Sequence, residues 1–365
     1  MEPIGTALIG LGKVAETHAR ALATLPQSRF VAVCDPVPER ADAFARTYGV
    51  RAYHRPEDLL DDPDVQAVSV CTPHPTHAEV AIKAAAAGRH VLVEKPMAIR
   101  LADCDAMIAA AAATHVKLAV VSQRRLYEPV VRVHEAIVQG RIGSPALGEL
   151  VVLGWRSEDY YRLDPWRGTW RGEGGGLLVT QVTHHLDLFQ WLMGPVTELF
   201  GYWDNLNHPS IEVEDTAVAV LRFANGALGS IVASNSQKPG LYGRIHVHGT
   251  NGASVGVQVE SGSAFISGVT TAAAPPINDL WTVPGEEDRL PAWQLEDTER
   301  AAVVDIMTEY HRRQIEDFLL AIQEDRAPMV TGEEGRKSVE LFTAIYRSQR
   351  DHAPVSFPVA PEAEG

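Results

Sequence analysis

The feature that most constrains this chain is a set of short runs in its first third that are apolar at almost every position. Ile4–Ile9, Phe30–Cys34, Val65–Cys71, His90–Val93 and Val116–Val121 read as strands, with a short extended piece at Val50–Tyr53. Helical patterns separate them at Val14–Leu25, Glu39–Tyr48, Ala78–Ala87 and Leu101–Ala113. A strand with one face in water alternates apolar and polar residues, whereas one that is apolar throughout must be covered on both faces. Strand and helix in strict alternation therefore predict a doubly wound parallel α/β sheet, ending near Ser122.

Beyond that point the pattern changes. A helix is predicted over Tyr127–Gln139, broken by Gly140–Gly143, then a strand at Leu147–Trp155 and a helix over Leu177–Leu192 closed by Gly194-Pro195. Strand-like runs follow at Val196–Trp203, Ala217–Phe223, Ala227–Ala233, Arg244–His248, Val255–Val259 and Ala264–Ile266. Asn225-Gly226 between two of them is a hairpin signal. The second part thus reads as an α+β domain with a large open, mostly antiparallel sheet. Thr271–Trp281, which contains Pro275-Pro276, reads as an exposed, mobile loop. Two closing helices are expected at Asp305–Glu324 and Glu333–Arg350, and an acidic, proline-containing tail after Ala353 should fray. The expected division is residues 1–122, 123–352 and a tail at 353–365.

Composition narrows the partners. Thirty-two Lys and Arg against 47 Asp and Glu give a net charge of -15 in 365 residues. Such a surface repels phosphate backbones and anionic lipid, so neither nucleic acid nor membrane is expected as a partner. No apolar run approaches the roughly 18 residues of a membrane span. The opening residues Met1-Glu2-Pro3-Ile4-Gly5 lack a basic-then-apolar leader. Cys34, Cys71 and Cys104 fit neither a zinc spacing nor a redox pair; Cys34 and Cys71 end apolar runs and read as buried. A reducing cytoplasm fits them.

The first strand runs into Gly10-Leu11-Gly12-Lys13-Val14-Ala15, a G-x-G-x-x-A turn that opens a helix. Gly10 permits the tight turn, Gly12 leaves room for a pyrophosphate, and Ala15 lets helix and strand pack closely. The helix N-terminus adds N–H groups and positive dipole, with Lys13 and Val14 beside them. Asp35 ends the second strand, where a carboxylate would bond a ribose 2′-hydroxyl and repel a 2′-phosphate. The N-terminal part is therefore expected to be a Rossmann domain that binds NAD, with NADP the alternative because Arg40 lies close by.

Two further strand ends carry chemistry. Cys71-Thr72-Pro73-His74-Pro75-Thr76-His77 reads as an extended loop at the carboxyl edge of the sheet, where a dinucleotide lies. Glu94-Lys95-Pro96 places a lone cation at the tip of a buried strand on that edge. Thr72, Pro73, His77, Glu94, Lys95 and Gln123 are taken as cofactor neighbours. Later, Trp155-Arg156 through Trp170-Arg171 is dense in aromatics and arginine. Aromatic faces stack on sugar C–H faces, and arginine reads hydroxyls or carboxylates. Trp166 and Arg167 are expected to line the nicotinamide and substrate cleft, with Tyr160 and Tyr161 as further candidates. His184 and Asp187 share a helix face but make only two ligands, and His246 and His248 read as an exposed strand pair, so no metal is expected.

Together these residues resemble a known family. Gly10-x-Gly12, Cys71-Thr72-Pro73 with His77, Gly88-x-His90 through Glu94-Lys95-Pro96, and Gly174-Gly175-Gly176 followed by His184-x-x-Asp187 look like the Gfo/Idh/MocA oxidoreductases, over nearly the whole chain. The resemblance implies Lys95 and His184 as the catalytic pair; with Tyr160 and Arg167 from the aromatic segment and with Thr180, Lys95 and His184 are expected to face substrate. It also implies a homodimer or homotetramer assembled through the open sheet. One departure stands out: many members carry an aspartate where this chain has Thr180, and a threonine cannot hold the charge that would orient an imidazole.

The function this implies is an NAD-dependent hydride transfer at a ring secondary hydroxyl of a sugar, glycoside or inositol, pyranose C3 among the candidate positions. Alternatives are an NAD-dependent glycosidase working by transient oxidation and elimination, and a non-catalytic NAD-binding regulator. The acidic net charge then describes the outer surface, while Lys95, Arg167 and helix N-termini make the site locally positive.

Overall fold

A computed structural model describes residues 2–261 and 275–361. The chain divides into two compact units: Met1–Gln123 with Asp305–Arg336, and Arg124–Val304 with Lys337–Ala360.

The first unit begins with β1 (Ile4–Ile9), α1 (Ala15–Thr24), β2 (Ser28–Cys34), α2 (Pro38–Tyr48), β3 (Arg51–Tyr53) and α3 (Pro56–Leu60). It continues through β4 (Ala67–Val70), α4 (His77–Ala86), β5 (His90–Val93), α5 (Leu101–Thr114) and β6 (Leu118–Val120). The six strands form one parallel sheet in the order β3-β2-β1-β4-β5-β6. Every residue of β1, β4 and β6 is buried, as two-sided coverage demands. The order reverses between β1 and β4, which opens a crevice at the carboxyl ends of those strands.

The second unit contains α6 (Glu128–Val138), β7 (Pro145–Leu153), α7 (Glu158–Arg162), α8 (Trp170–Glu173), α9 (Leu177–Thr180) and α10 (Thr183–Met193). Strands β8 (Val196–Asp204), β9 (Thr216–Phe223), β10 (Leu228–Ser234), β11 (Tyr242–Gly249), β12 (Ser254–Ser261) and β13 (Ile277–Trp281) follow, then α11 (Arg289–Val303). The chain closes with α12 (Ile306–Gln323), α13 (Gly332–Asp351) and β14 (Val355–Ser356). The sheet order is β13-β12-β11-β7-β10-β9-β8-β14, antiparallel except where β7 meets β10. The expected hairpin forms at Asn225-Gly226, with Gly226 at φ +88°. One sheet face packs against α10: a Cβ on Gly148 would lie 2.8 Å from the Phe189 ring and 2.7 Å from the Met193 sulfur. The other face leaves Tyr202, Val218, Val220 and Leu228 exposed.

Four expectations need correction. Asp305–Arg336 belongs with the first unit, not the second: Ile315, Phe318 and Leu319 of α12 pack on Ala21, Leu22, Leu25 and Leu92. Gln314 fixes this arrangement by accepting from Ser122 N–H and donating to the Val120 carbonyl, both at 2.8 Å. Ile277–Trp281 is a paired strand with Asn278 and Trp281 buried, so the proline pair precedes structure instead of marking a loop. The tail is pinned: β14 pairs with β8, and buried Val359 donates its N–H to Glu340. The helix foreseen over Leu177–Leu192 is two helices separated at Gln181-Val182. The strand expected at Ala264–Ile266, like the start of the Thr271–Trp281 segment, lies outside the described residues.

Candidate active site

Strand ends in the first unit gather the dinucleotide-binding features on one edge. Gly10 sits at φ +88°, and a Cβ there would come within 2.6 Å of the Thr72 backbone nitrogen, so only glycine lets the β1 turn approach the β4 loop. Gly12 meets nothing within 4 Å of a built Cβ, and it lies at the open start of α1. The Gly12 and Lys13 N–H groups find no protein acceptor among the described residues, which is what an anion at a helix N-terminus requires. Asp35 directly follows β2 and accepts from Leu11 N–H and Val37 N–H, both at 2.9 Å. It therefore holds the glycine turn. Arg40 pairs with it at 3.1 Å.

Two buried polar atoms on this edge, Thr72 Oγ1 and Gln123 Oε1, have no hydrogen-bond partner among the described residues. Orphaned buried polar groups are costly and are normally met by a ligand or water. With the open Gly12 cradle, they show that the residues present fit a bound dinucleotide.

His77 and Glu94, both expected as cofactor neighbours, are buried and bonded within the first unit. His77 is fully buried, its Nδ1 2.8 Å from the Pro96 carbonyl and its Nε2 2.8 Å from the Thr72 carbonyl. It stitches the β4 loop to the β5 loop. Burial holds its pKa below the ordinary imidazole value, against the pull of the two carbonyls. Glu94 accepts from His18 at 3.0 Å and from the Lys95 backbone N–H at 3.1 Å, with His311 Nε2 at 3.6 Å. Burial would raise its pKa, but the bonds from His18 and His311 hold the carboxyl well below the usual carboxylate range. Lys95 itself is half-buried just beyond β5.

His18, Glu94 and His311 form a cluster that the sequence did not reveal. The three residues are buried, and their ligand-capable atoms lie within 4.8 Å of one another. His311 lies on α12, so neither local spacing nor motif could pair it with His18.

In the second unit, His184 lies buried on α10, the helix seated on Gly148 of β7 and Gly229 of β10. Asp187, one turn on, is gripped by Arg125 through Nε at 2.9 Å and Nη2 at 2.6 Å, which fixes the helix. His185 is buried beneath Gly243, where a Cβ would come within 2.5 Å of its ring. Thr180 closes α9, its hydroxyl 2.8 Å from the Gly176 carbonyl and 2.6 Å from Gln181 Oε1. Gln181 then donates to the Tyr160 hydroxyl at 3.2 Å, and Arg167 donates to the same oxygen at 2.7 Å. Arg167 also lies 4.6 Å from the ring centroids of both Tyr160 and Trp166. Thr180, Tyr160, Trp166 and Arg167 are thus joined through Gln181, a residue that motif reading passed over.

The triple-glycine run before His184 is held by Glu214. This buried carboxylate accepts from Gly176 N–H, Leu178 N–H and the Tyr346 hydroxyl at 2.8, 3.0 and 2.9 Å. Burial pushes it up to about 7 against those donors.

Comparison with known proteins now decides the lineage. Residues 4–122 match the oxidoreductase family with an NAD-binding Rossmann fold, and residues 130–255 match the GFO/IDH/MocA C-terminal domain. The chain belongs to the GFO/IDH/MocA oxidoreductase family. Among similar proteins is the myo-inositol 2-dehydrogenase of Thermotoga maritima, 33% identical over 67% of this chain and 72% of that protein. The WlbA dehydrogenase of Bordetella pertussis, solved with NADH and UDP-GlcNAcA, superposes with a TM-score of 0.82 at 31% identity, over 98% of this chain and 100% of that one. Levoglucosan dehydrogenase in complex with NADH gives 0.81 at 26% identity, over 98% and 100%. NAD is the cofactor of this GFO/IDH/MocA member's first domain, and the orphaned Thr72 and Gln123 oxygens line the edge where it would be held. No helix among the described residues is long and apolar enough to cross a membrane.

Proposed function

We propose that this GFO/IDH/MocA enzyme transfers a hydride between a ring secondary hydroxyl of a sugar, glycoside or inositol and NAD. The observation that carries the reading is Lys95: a half-buried cation just past β5, on the same strand edge as Gly12, its backbone N–H held by Glu94 at 3.1 Å. Relatives named for myo-inositol and levoglucosan support a ring polyol as the substrate class.

Oxidising a secondary alcohol removes a hydride and a proton. Bound NAD supplies the hydride acceptor. The proton needs a protein group within hydrogen-bond reach of the hydroxyl. Lys95 anchors that hydroxyl, and His184 exchanges the proton. Tyr160, Trp166 and Arg167, which form one cluster in the second unit, orient the ring. Thr180 is spoken for by the Gly176 carbonyl and Gln181, so it supports the α9–α10 junction instead of charging the imidazole.

A panel of sugars, glycosides and inositols assayed for NAD reduction at 340 nm tests this. Accumulating NADH with a ring polyol is expected. Aglycone release without NADH would transfer the reading to the glycosidase chemistry, and NAD binding without turnover of any member would leave a regulator. We also propose a homodimer or homotetramer built on the exposed Tyr202, Val218, Val220 and Leu228. A monomer by light scattering would contradict that assembly. The three buried free thiols support a cytoplasmic setting.

A further inference from the structure

Burying a charge costs several kcal/mol unless an opposite charge and hydrogen bonds offset it. Three arginines of the second unit follow the rule. Arg125 grips Asp187, Arg132 meets Asp297 at 2.7 Å, and Arg167 meets Asp164 at 2.9 Å and Glu173 at 3.8 Å. Arg156 does not. It is 5% exposed against 4% for Arg125, yet no carboxylate lies within ion-pair distance of it among the described residues. Its Nη1 donates to the Trp155 carbonyl at 2.9 Å. Its Nε is buried without an acceptor, and the one further side-chain hydrogen-bond partner of the guanidinium among the described residues is the neutral Tyr160 phenol, which brings no counter-charge. The Nε–Nη2 edge is the one with which Arg125 holds Asp187.

The position is rigidly built. Arg156 N–H donates to the Asn235 carbonyl at 3.1 Å. Its carbonyl accepts from His208 Nε2 at 2.8 Å, and His208 Nδ1 is held by Asp215 at 2.8 Å. Its guanidinium lies 5.4 Å from the Tyr160 ring centroid, and Tyr160 is bonded to Gln181, the residue after Thr180. The guanidinium without a counter-charge therefore belongs to the aromatic cluster proposed above for substrate.

We infer that Arg156 receives the carboxylate of a sugar-acid substrate, which narrows and rests on the dehydrogenase reading above. A planar carboxylate offers two oxygens to one guanidinium edge. A single negative charge balances the single uncompensated cation. A phosphate dianion would leave one negative charge in excess of the single guanidinium, so the monoanion is the better match.

The test pairs each uronic acid with its neutral sugar and its uronamide, on the full chain with NAD. Binding is read by calorimetry and turnover by NADH formation. The acid is expected to exceed its uronamide by about ten- to a hundredfold in affinity and in kcat/KM. Arg156→Met should remove that preference while changing the neutral sugar less than about threefold, and Arg156→Lys should restore part of it. Should Arg156→Met fail to fold, the acid-against-uronamide comparison on the unaltered protein stands alone. Equal treatment of acid and amide overturns the inference, as does a sugar phosphate preferred over both. Neutral sugars oxidised without acid preference would leave the dehydrogenase reading intact. Acid binding without turnover of any sugar would sink that reading while keeping Arg156 as the acid site.

Discussion

Glu94 Oε1 lies 3.0 Å from His18 Nε2, with both side chains buried, and the other oxygen of Glu94 holds the backbone N–H of Lys95. The pair links the interior of the first unit to the lysine on which the chemistry is argued to depend. Glu94→Gln removes a buried charged acceptor and is expected to lower stability by about 3 kcal/mol. It should also lower kcat while leaving the NAD dissociation constant within about threefold, because Glu94 supports Lys95 and not the cofactor. A loss of NAD affinity with kcat unchanged would contradict this.

The same pair has a pH signature. Burial holds His18 below 6.5, so below that pH the unfolded chain binds more protons than the folded one, and stability falls as pH falls. Urea denaturation of the wild type and of His18→Gln at pH 7.5 and 5.5 should show the wild type losing more on acidification. Parallel losses would show that His18 does not titrate differently on folding.

Glu214 works in the opposite direction. Its carboxyl is pushed up to about 7 by burial, above its unfolded value, so the folded state holds the extra proton between pH 4.5 and 7. Stability from this group is present below pH 4.5 and is lost as pH rises through 7, by about 3 kcal/mol in all. The stability difference between wild type and Glu214→Gln should shrink or reverse between pH 5 and 8. A pH-independent difference would mean that the three donors keep Glu214 ionised throughout.

Gly10 and Gly12 separate folding from binding. Gly10→Ala must place a Cβ 2.6 Å from the Thr72 nitrogen at φ +88° and is expected to cost about 2 kcal/mol or more of stability. Gly12→Ala meets nothing within 4 Å and should leave the melting temperature nearly unchanged while weakening NAD binding at least tenfold. If Gly12→Ala binds NAD normally, the pyrophosphate does not lie on this turn.

The parallel sheet was legible because its strands are apolar on both faces, and the glycine turn, Asp35, Lys95 and the glycine run before His184 were legible as motifs. What the sequence hid is nonlocal. His311 reaches Glu94 from α12, some 217 positions along the chain, and nothing in either neighbourhood announces the other. Helix α11 was missed because few of its residues face inward, Trp293 and Asp297 among them. Strand β13 was read as loop because Pro275-Pro276 precedes it, whereas the burial of Asn278 and Trp281 overrides that local signal. His77 and Glu94 were read as cofactor neighbours from their loops, whereas the bonds that hold them, to Thr72 and Pro96 and to His18, come from packing. Arg156 looked like one arginine among several until its missing counter-charge set it apart.

The most direct test of the central claim is Lys95→Met, with NADH formation from a ring polyol followed at 340 nm and NAD binding measured on the same protein by calorimetry. The account predicts that turnover falls by at least a thousandfold while NAD binds within about threefold of wild type. Turnover near the wild-type rate would contradict it.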